Sequence, residues 1–327
     1  ALGSYALNAN INSDGNTAIG HRSLDLNTSG IDNVGVGFYS LKNNTASFNT
    51  GLGTYAGAGI TTGTNNVAVG RQSLYTGNAS NNTAVGTLAL NTSSGTGNTA
   101  IGYSSGSAIT TATNNTFVGS SSGLGYTTGG QNTSLGALAY STANSINYMS
   151  LGYSSGGNWS TANNRVEVGN TSVVNIGGQV GWSTLSDIRL KDNIKEDVPG
   201  LKFISLLKPI TYNLNIHKQE ELRKLQNKGG LVKPSVDWDG KYDIEKIKMS
   251  GFSAQGVLEA AKSIGYDFSG VDVPKDGGIL SIRYQDFIPS LTKAVQEQQA
   301  QIEELKKKNE QLEKDMQAIK AKLGINN

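Results

Sequence analysis

The sequence predicts a mainly β chain of stacked β-coils, followed by a charge-rich C-terminal part that ends in a coiled coil. Three observations carry this. A glycine recurs every 16 or 17 residues through the first half, composition changes abruptly near residue 185, and apolar residues fall at 3,4 spacing from Ile288 onward.

The repeating glycine stands at Gly3, Gly20, Gly37, Gly53, Gly70, Gly86, Gly102, Gly119, Gly136, Gly152 and Gly169. The residue before it is aliphatic in all eleven copies, from Leu2 and Ile19 to Val168. The residue three after it is Ser or Ala, from Ala6 and Ser23 to Ser172. Asn stands four residues before the glycine in eight of the ten copies that can show it, as at Asn16, Asn66 and Asn132. A segment such as Asn16 to Gly20 is too short for a helix and is bracketed by turn formers. Alternating small and aliphatic residues give a strand one buried face. Such a coil has room for two short strands and two turns. Stacked coils are expected to bury a continuous aliphatic ladder that a lone coil could not. The small residue after the glycine is expected at a close backbone approach, inside the coil or between chains. The Asn, Thr and Ser corners read first as turn formers with a hydrogen-bonded Asn ladder, and second as a glycan-binding surface. Tyr39, Tyr55 and Tyr103 are better candidates for stacking on sugars, unless they pack a trimer.

This pattern resembles the left-handed parallel β-roll heads of trimeric autotransporter adhesins, in which an Asn-rich turn precedes small–aliphatic–Gly and then Ser or Ala. The repeat here is longer than that family's usual one. The resemblance covers roughly the first 170 residues and implies a trimer.

Charge bounds the remainder. Residues 1–185 hold four acidic and four basic residues, whereas 186–327 hold 21 and 23, so a boundary lies near 185. The net charge of +2 points to neither nucleic acid nor an acidic substrate. Without Cys there are no disulfides and no thiolate metal sites, and no metal or other cofactor is expected. No run of about 18 apolar residues occurs, so no membrane-spanning helix is expected. Ala1 falls inside a repeat, which makes the chain an expected fragment.

The boundary string Ser186-Asp187-Ile188-Arg189-Leu190-Lys191-Asp192-Asn193-Ile194 resembles the start of the endosialidase-type C-terminal intramolecular chaperone, a self-cleaving peptidase family at the ends of phage tail fibres and tailspikes. That family opens with Ser-Asp, then Arg, Lys and Asn-Ile, here Ser186, Asp187, Arg189, Lys191, Asn193 and Ile194. Three further strings follow in order: Leu206 to Tyr212 with Pro209, then Gly251-Phe252-Ser253-Ala254-Gln255, then Tyr284 to Pro289 before a helix. Gly256 departs from the family, where Glu is common. The resemblance implies a small α+β chaperone domain that trimerises the chain and then releases itself. It assigns the nucleophile to Ser186 and the base to Lys191.

The chemistry is consistent with that assignment. A serine hydroxyl needs a base at neutral pH, and a lysine can serve if loss of water lowers its pKa. The chain's two histidines, His21 and His217, are distant from the boundary in sequence. Attack by Ser186 on the carbonyl of Leu185 closes a five-membered ring, whereas attack on its own carbonyl closes a strained four-membered one. Scission of Leu185–Ser186 is therefore favoured, and a cut on the other side of Ser186 stays open.

From Ile288 the heptad positions a and d run Ile288, Leu291, Val295, Gln298, Ile302, Leu305, Asn309, Leu312, Met316, Ile319, Leu323. Five heptads at strict 3.5 spacing predict a coiled coil. Gln298 and Asn309 fix register; Asn309 alone favours a dimer, while the β-branched a residues favour a trimer.

The expected organisation is a repeat head at 1–173, a junction at 174–185, a chaperone and autopeptidase domain at 186–287, and a trimeric coiled coil at 288–327. The expected function is the distal part of a phage or phage-like tail fibre. It would assemble in the host cytoplasm and work outside the cell, on the virion tail. Expected partners are two further copies, upstream fibre or tail, and a host-surface glycan or other receptor, with no nucleic acid and no membrane insertion. The alternatives are a bacterial trimeric surface adhesin using the same chaperone, or an uncleaved structural fibre. A polysaccharide-degrading spike needs paired carboxylates, and Asp14, Asp25, Asp32 and Glu167 are scattered over different coils.

Overall fold

A computed structural model describes residues 1–140, 144–156, 163–226, 238–274 and 278–323. The last four residues of the expected coiled coil, 324–327, lie outside the described residues. The strands are β1 (Thr17–Ile19), β2 (Val34–Val36), β3 (Thr50–Leu52), β4 (Val67–Val69), β5 (Thr83–Val85), β6 (Thr99–Ile101), β7 (Thr116–Val118), β8 (Thr133–Leu135), β9 (Tyr148–Leu151) and β10 (Arg165–Val168). There follow α1 (Leu201–Ile204), β11 (Ile210–Tyr212), α2 (Ile216–Gln226), β12 (Met249–Gly251), α3 (Ala254–Ser263), β13 (Val271–Asp272), β14 (Ser281–Ile282) and α4 (Ile288–Leu323).

The repeats form a parallel β-solenoid. Strands β1 to β10 pair in chain order as one ten-stranded sheet, with Ile19 against Val36 and Val36 against Leu52. Each coil contributes one strand, not the two expected. Its opposite side carries left-handed backbone two and four residues after the glycine, as at Arg22 (φ 53°) and Leu24 (φ 51°). That side bonds from coil to coil without strand geometry: the Leu24 N–H donates to the Ser40 carbonyl at 3.0 Å, and Leu41 to Ala56 at 2.9 Å. The repeating glycine is required twice over. Gly20 has φ +121°, and a Cβ there would lie 2.6 Å from the Gly37 carbonyl oxygen.

The interior reverses one expectation. The aliphatic residue before each glycine points away from the coil's own interior: Ile19 is 43% and Leu52 38% exposed. The buried strand residue is the small one in the middle, as at Ala18, Ala68 and Ala84. The reason is volume. Leu24, Leu41, Leu74 and Leu90, four after the glycine, fill the lumen and leave room opposite for little more than a methyl group. Left-handed backbone costs such a residue about 1–2 kcal/mol, and burying its side chain gains about 1.5–3 kcal/mol, so burial wins. Where this position is Gly57, Gly106 or Gly123, a residue three further on, Ile60, Ile109 or Tyr126, is fully buried instead. Phe117 is a large apolar residue at a strand centre, and a Cβ on Gly106 or Gly123 would come within 2.8 or 2.5 Å of its ring.

Most polar groups inside are paired, the Asn82 side-chain nitrogen and the Ser155 hydroxyl being exceptions. Asn16, Asn33, Asn49, Asn66, Asn82, Asn98, Asn115 and Asn132 form a ladder in which each side-chain oxygen accepts the backbone N–H of the next, ending on Tyr148. Most of their amides also donate to a loop carbonyl, Asn66 to Ala79 at 2.8 Å for example. The Asn corners are thus internal structure. The small residue after the glycine lies inside the coil, where Ser23 and Ser40 each donate across it to the carbonyls of Gly35 and Gly51 at 2.8 Å.

The compact units depart from the expected division. Residues 1–176 and 214–247 form one unit, and 177–213 with 248–327 form the other. Residues 214–247, expected within the C-terminal domain, therefore belong with the repeats. Trp238 Nε1 donates to Ser172 Oγ at 2.9 Å, and the Trp238 ring meets Tyr153 edge-on at 5.8 Å. Lys241 is 2% exposed, bonded to Glu220 at 2.8 Å and set over the Trp238 ring. Burial opposes its charge, but Glu220 and Tyr242 outweigh that and hold the ammonium well above lysine's ordinary range.

The second unit packs Phe203, Val257, Ala261, Phe268 and Phe287 into its own core. In it, β11 pairs antiparallel with β12, and β13 with β14. Its long helix α4 buries Ser290 and Ala294, while every heptad position named above is exposed.

Volume matching inside the coils sets a testable cost. Leu41→Ala is expected to lower the unfolding free energy by about 2–5 kcal/mol. Gly51→Val, whose Cβ would meet Leu41 Cγ at 2.8 Å, is expected to lower it by about 1–3 kcal/mol. Denaturant melts followed by circular dichroism check both, and an unchanged midpoint for Leu41→Ala would contradict the assigned interior.

Candidate functional site

The boundary string forms a closed local turn. Asp187 caps a short 3-10 helix, Ile188–Leu190, by accepting the Arg189 N–H at 2.9 Å. The helix ends where the Lys191 N–H donates to the Ile188 carbonyl at 3.1 Å. That turn carries the Lys191 side chain back over Ser186, and Lys191 Nζ lies 2.8 Å from Ser186 Oγ. The structure therefore brings together the two residues that sequence singles out as nucleophile and base.

The remaining boundary residues hold the turn. The Arg189 guanidinium grips both oxygens of Asp187, at 2.6 Å for the shortest contact. That side-chain bond, with the Arg189 backbone N–H, holds the Asp187 carboxyl below its ordinary range, and the same bond raises Arg189. Asn193 has φ 53°, left-handed backbone that Asn tolerates better than most residues. The pair is open to solvent: Ser186 and Lys191 are exposed, as are Leu185 before them and Trp182, at 95%.

Gly251, Phe252 and Gln255 do other work. A Cβ on Gly251 would lie 2.2 Å from the Tyr284 hydroxyl, which accepts the Phe252 N–H at 3.1 Å. The Phe252 ring stacks on Phe287 at 5.5 Å. Ser253 caps α3, accepting the Gly256 N–H at 3.3 Å, so the glycine that departs from the family pattern still serves the cap. Gln255 is exposed on α3 and lines a shallow groove with Leu258 and Lys262. Among the described residues no hydrogen bond joins this group to Ser186 or Lys191. Of the histidines, His217 is bonded to Glu245 at 3.1 Å and His21 stacks on Phe38.

Sequence reading missed the Trp238–Lys241 clasp on the last coil. Its signal was the string Trp238-Asp239-Gly240-Lys241, a large ring beside a turn. Comparison of the chain with protein-family models, with curated proteins and with solved structures finds no match.

The Asp187–Arg189 clamp gives a pH expectation. A carboxyl whose folded pKa is depressed contributes above its unfolded value and loses that contribution as pH falls through the folded value. The clamp is thus present at neutral pH and is lost as pH falls through the lowered Asp187 value. Carboxyl NMR is expected to show Asp187 titrating below the ordinary aspartate range and moving up in Arg189→Gln. No movement would mean the clamp does not form in solution.

Proposed function

We propose that this chain is the distal part of a trimeric phage or phage-like tail fibre with a self-releasing folding domain. The repeats would form a left-handed β-roll of three chains with a host-surface binding role. Residues 186–327 would trimerise the chain, template its fold and then detach at Ser186. The 2.8 Å contact between Lys191 Nζ and Ser186 Oγ carries the autoproteolytic step. In that step a neutral Lys191 takes the hydroxyl proton while Oγ attacks the Leu185 carbonyl carbon. The C–N bond breaks, the proton passes to the released amine, and water hydrolyses the ester.

Two apolar stripes support self-association. The heptad residues of α4, from Ile288 to Leu323, are exposed in the single chain. So is much of the aliphatic ladder of the solenoid, from Leu2 to Val168. Exposed apolar surface of that extent marks an interface. Assembly would also serve the chemistry. A lysine acts as base only when water is removed, and the apolar Trp182, Leu185, Ile188, Leu190 and Ile194 beside the pair are all exposed and available for burial between copies. Helices form faster than non-local β pairing, so α4 would set chain register before the coils stack. The fibre would then act on the virion tail, outside the host cell.

Freshly expressed chain is expected to yield fragments 1–185 and 186–327 on a denaturing gel, with Ser186→Ala and Lys191→Ala remaining whole. Efficient cutting of Ser186→Ala would sink the dyad, and a wild type that never cuts favours an uncleaved fibre. Light scattering on Ser186→Ala is expected to give three times the 34.3 kDa chain, 102.9 kDa. A dimer mass would instead follow the preference of Asn309.

A further inference from the structure

One end of the solenoid carries a cluster of rings that the repeat itself does not demand. The positions one and two after the glycine hold His21 and Arg22 in one coil and Phe38 and Tyr39 in the next, with Tyr5 and Tyr55 on either side. Later coils hold single rings there, Tyr103 and Tyr153, among Thr87, Ser104 and Ser121, and keep the same backbone bonds, Ser104 to Thr87 at 2.9 Å for example. The rings are continuous across coils. His21 stacks on Phe38 at 5.4 Å, Phe38 meets Tyr39 edge-on at 4.3 Å, and Tyr39 stacks on Tyr55 at 5.2 Å. Tyr5 and Phe38 are exposed.

Two cations rest on these rings. The Arg22 guanidinium lies 5.2 Å from the centre of Tyr5 and 5.8 Å from that of Tyr39, and Lys42 Nζ lies 4.9 Å from Tyr39. Among the described residues neither has a hydrogen-bond acceptor. Asp25 pairs with Arg22 at 3.6 Å from Nε, beyond a good hydrogen bond, and Nε itself is buried, so only the outer end of the guanidinium can meet a ligand. Cations set over rings, with Tyr5 and Phe38 exposed and Tyr39 and Tyr55 half-buried, are complementary to an anion that also offers an apolar face.

We infer that this cluster binds an anionic polysaccharide, with Phe38, Tyr39 and Tyr55 stacking on sugar faces and Arg22 and Lys42 pairing with its carboxylates or sulfates. This rests on the proposed host-surface role of the repeats and names the ligand class for it. Rings supply large contact area at small entropic cost, and a cation already held over a ring loses little further freedom on pairing. A second copy of the chain is the rival occupant. An interface running the length of the solenoid would need the same chemistry in every coil, as the aliphatic positions have, whereas the contiguous run of rings with its two cations is confined to the first few coils, and Tyr103 and Tyr153 beyond it stand singly among the coils.

The test is native-gel retardation of the full chain in hyaluronan, which carries carboxylates, in dextran sulfate, which carries sulfates, and in neutral dextran. At least one polyanion is expected to retard the wild type, and dextran is not. Tyr39→Ser combined with Tyr55→Ser, using the residue of the later coils, is expected to lower affinity at least tenfold. Arg22→Gln is expected to weaken binding and its salt dependence. Both variants are expected to keep the assembly mass and cleavage of the wild type. The inference is overturned if neither polyanion binds, if the tyrosine variant binds as wild type, or if its loss of binding comes with loss of assembly, which would give the rings to an interface between copies. Lost ring-dependent binding with cleavage and trimer mass intact removes the site alone. Ring-dependent binding in a chain that neither cuts nor trimerises removes the fibre function and leaves the site.

Discussion

Coil-on-coil stacking at the spacing of one strand governs the repeat region, because it lets backbone meet backbone at every corner. At the glycine corner, successive residues from Gly3 to Gly136 approach so closely that a Cβ would lie 2.4–2.9 Å from the next coil's carbonyl group. At the Asn corner the chain must turn while its N–H groups face inward, and the Asn side chains answer each of them in series. The glycine corner admits no Cβ without a clash, and at the Asn corner, where Tyr148 replaces Asn, the next coil's Arg165 N–H turns instead to the Asn147 carbonyl at 3.2 Å.

Within that frame the interior is a matter of volume. Leu four after the glycine and Ala at the strand centre share one narrow lumen, and enlarging one requires shrinking the other. Phe117 flanked by Gly106 and Gly123 follows the same rule with the sizes exchanged. A lumen filled in this way has no room for the second aliphatic set, and the Ile, Val and Leu before each glycine are left on the outside. A coil that buries so little by itself depends on its neighbours, and the Trp238–Lys241 clasp covers part of the last coil.

The boundary turn is local in a different sense. A separation of five residues suffices to bring Lys191 onto Ser186, with Asp187 and Arg189 answering needs of the backbone between them and Asn193 turning the chain just beyond. What such a turn lacks is shelter. Its apolar neighbours, Leu185 and Ile188 among them, lie in solvent beside the pair. Under the proposed function, a nucleophile and base that meet locally but need a dry surrounding to react would link assembly to chemistry.

The sequence by itself determined the features that rest on chain-local periodicity: the parallel stack of coils, its Asn ladder, the heptads of α4, and the pairing of Ser186 with Lys191. The first three recur at a fixed period, so spacing reveals them; Ser186 and Lys191 are singled out by the motif their string resembles, and lie close enough in sequence for one turn to join them. Tertiary structure decided which side of each strand is inside, because period-two alternation marks two faces without ranking them, and only the filled lumen shows that Ala18 goes in and Ile19 out. It also decided that each coil keeps one strand, since left-handed backbone at Arg22 and Leu24 is not announced by residues of those types. It assigned 214–247 to the repeats through Ser172 and Trp238, a contact between residues 66 apart that no local pattern encodes. And it gave Gly251 and Phe252 to Tyr284, away from the Ser186 turn, because a short motif names residues while their partners are set by how the chain closes on itself.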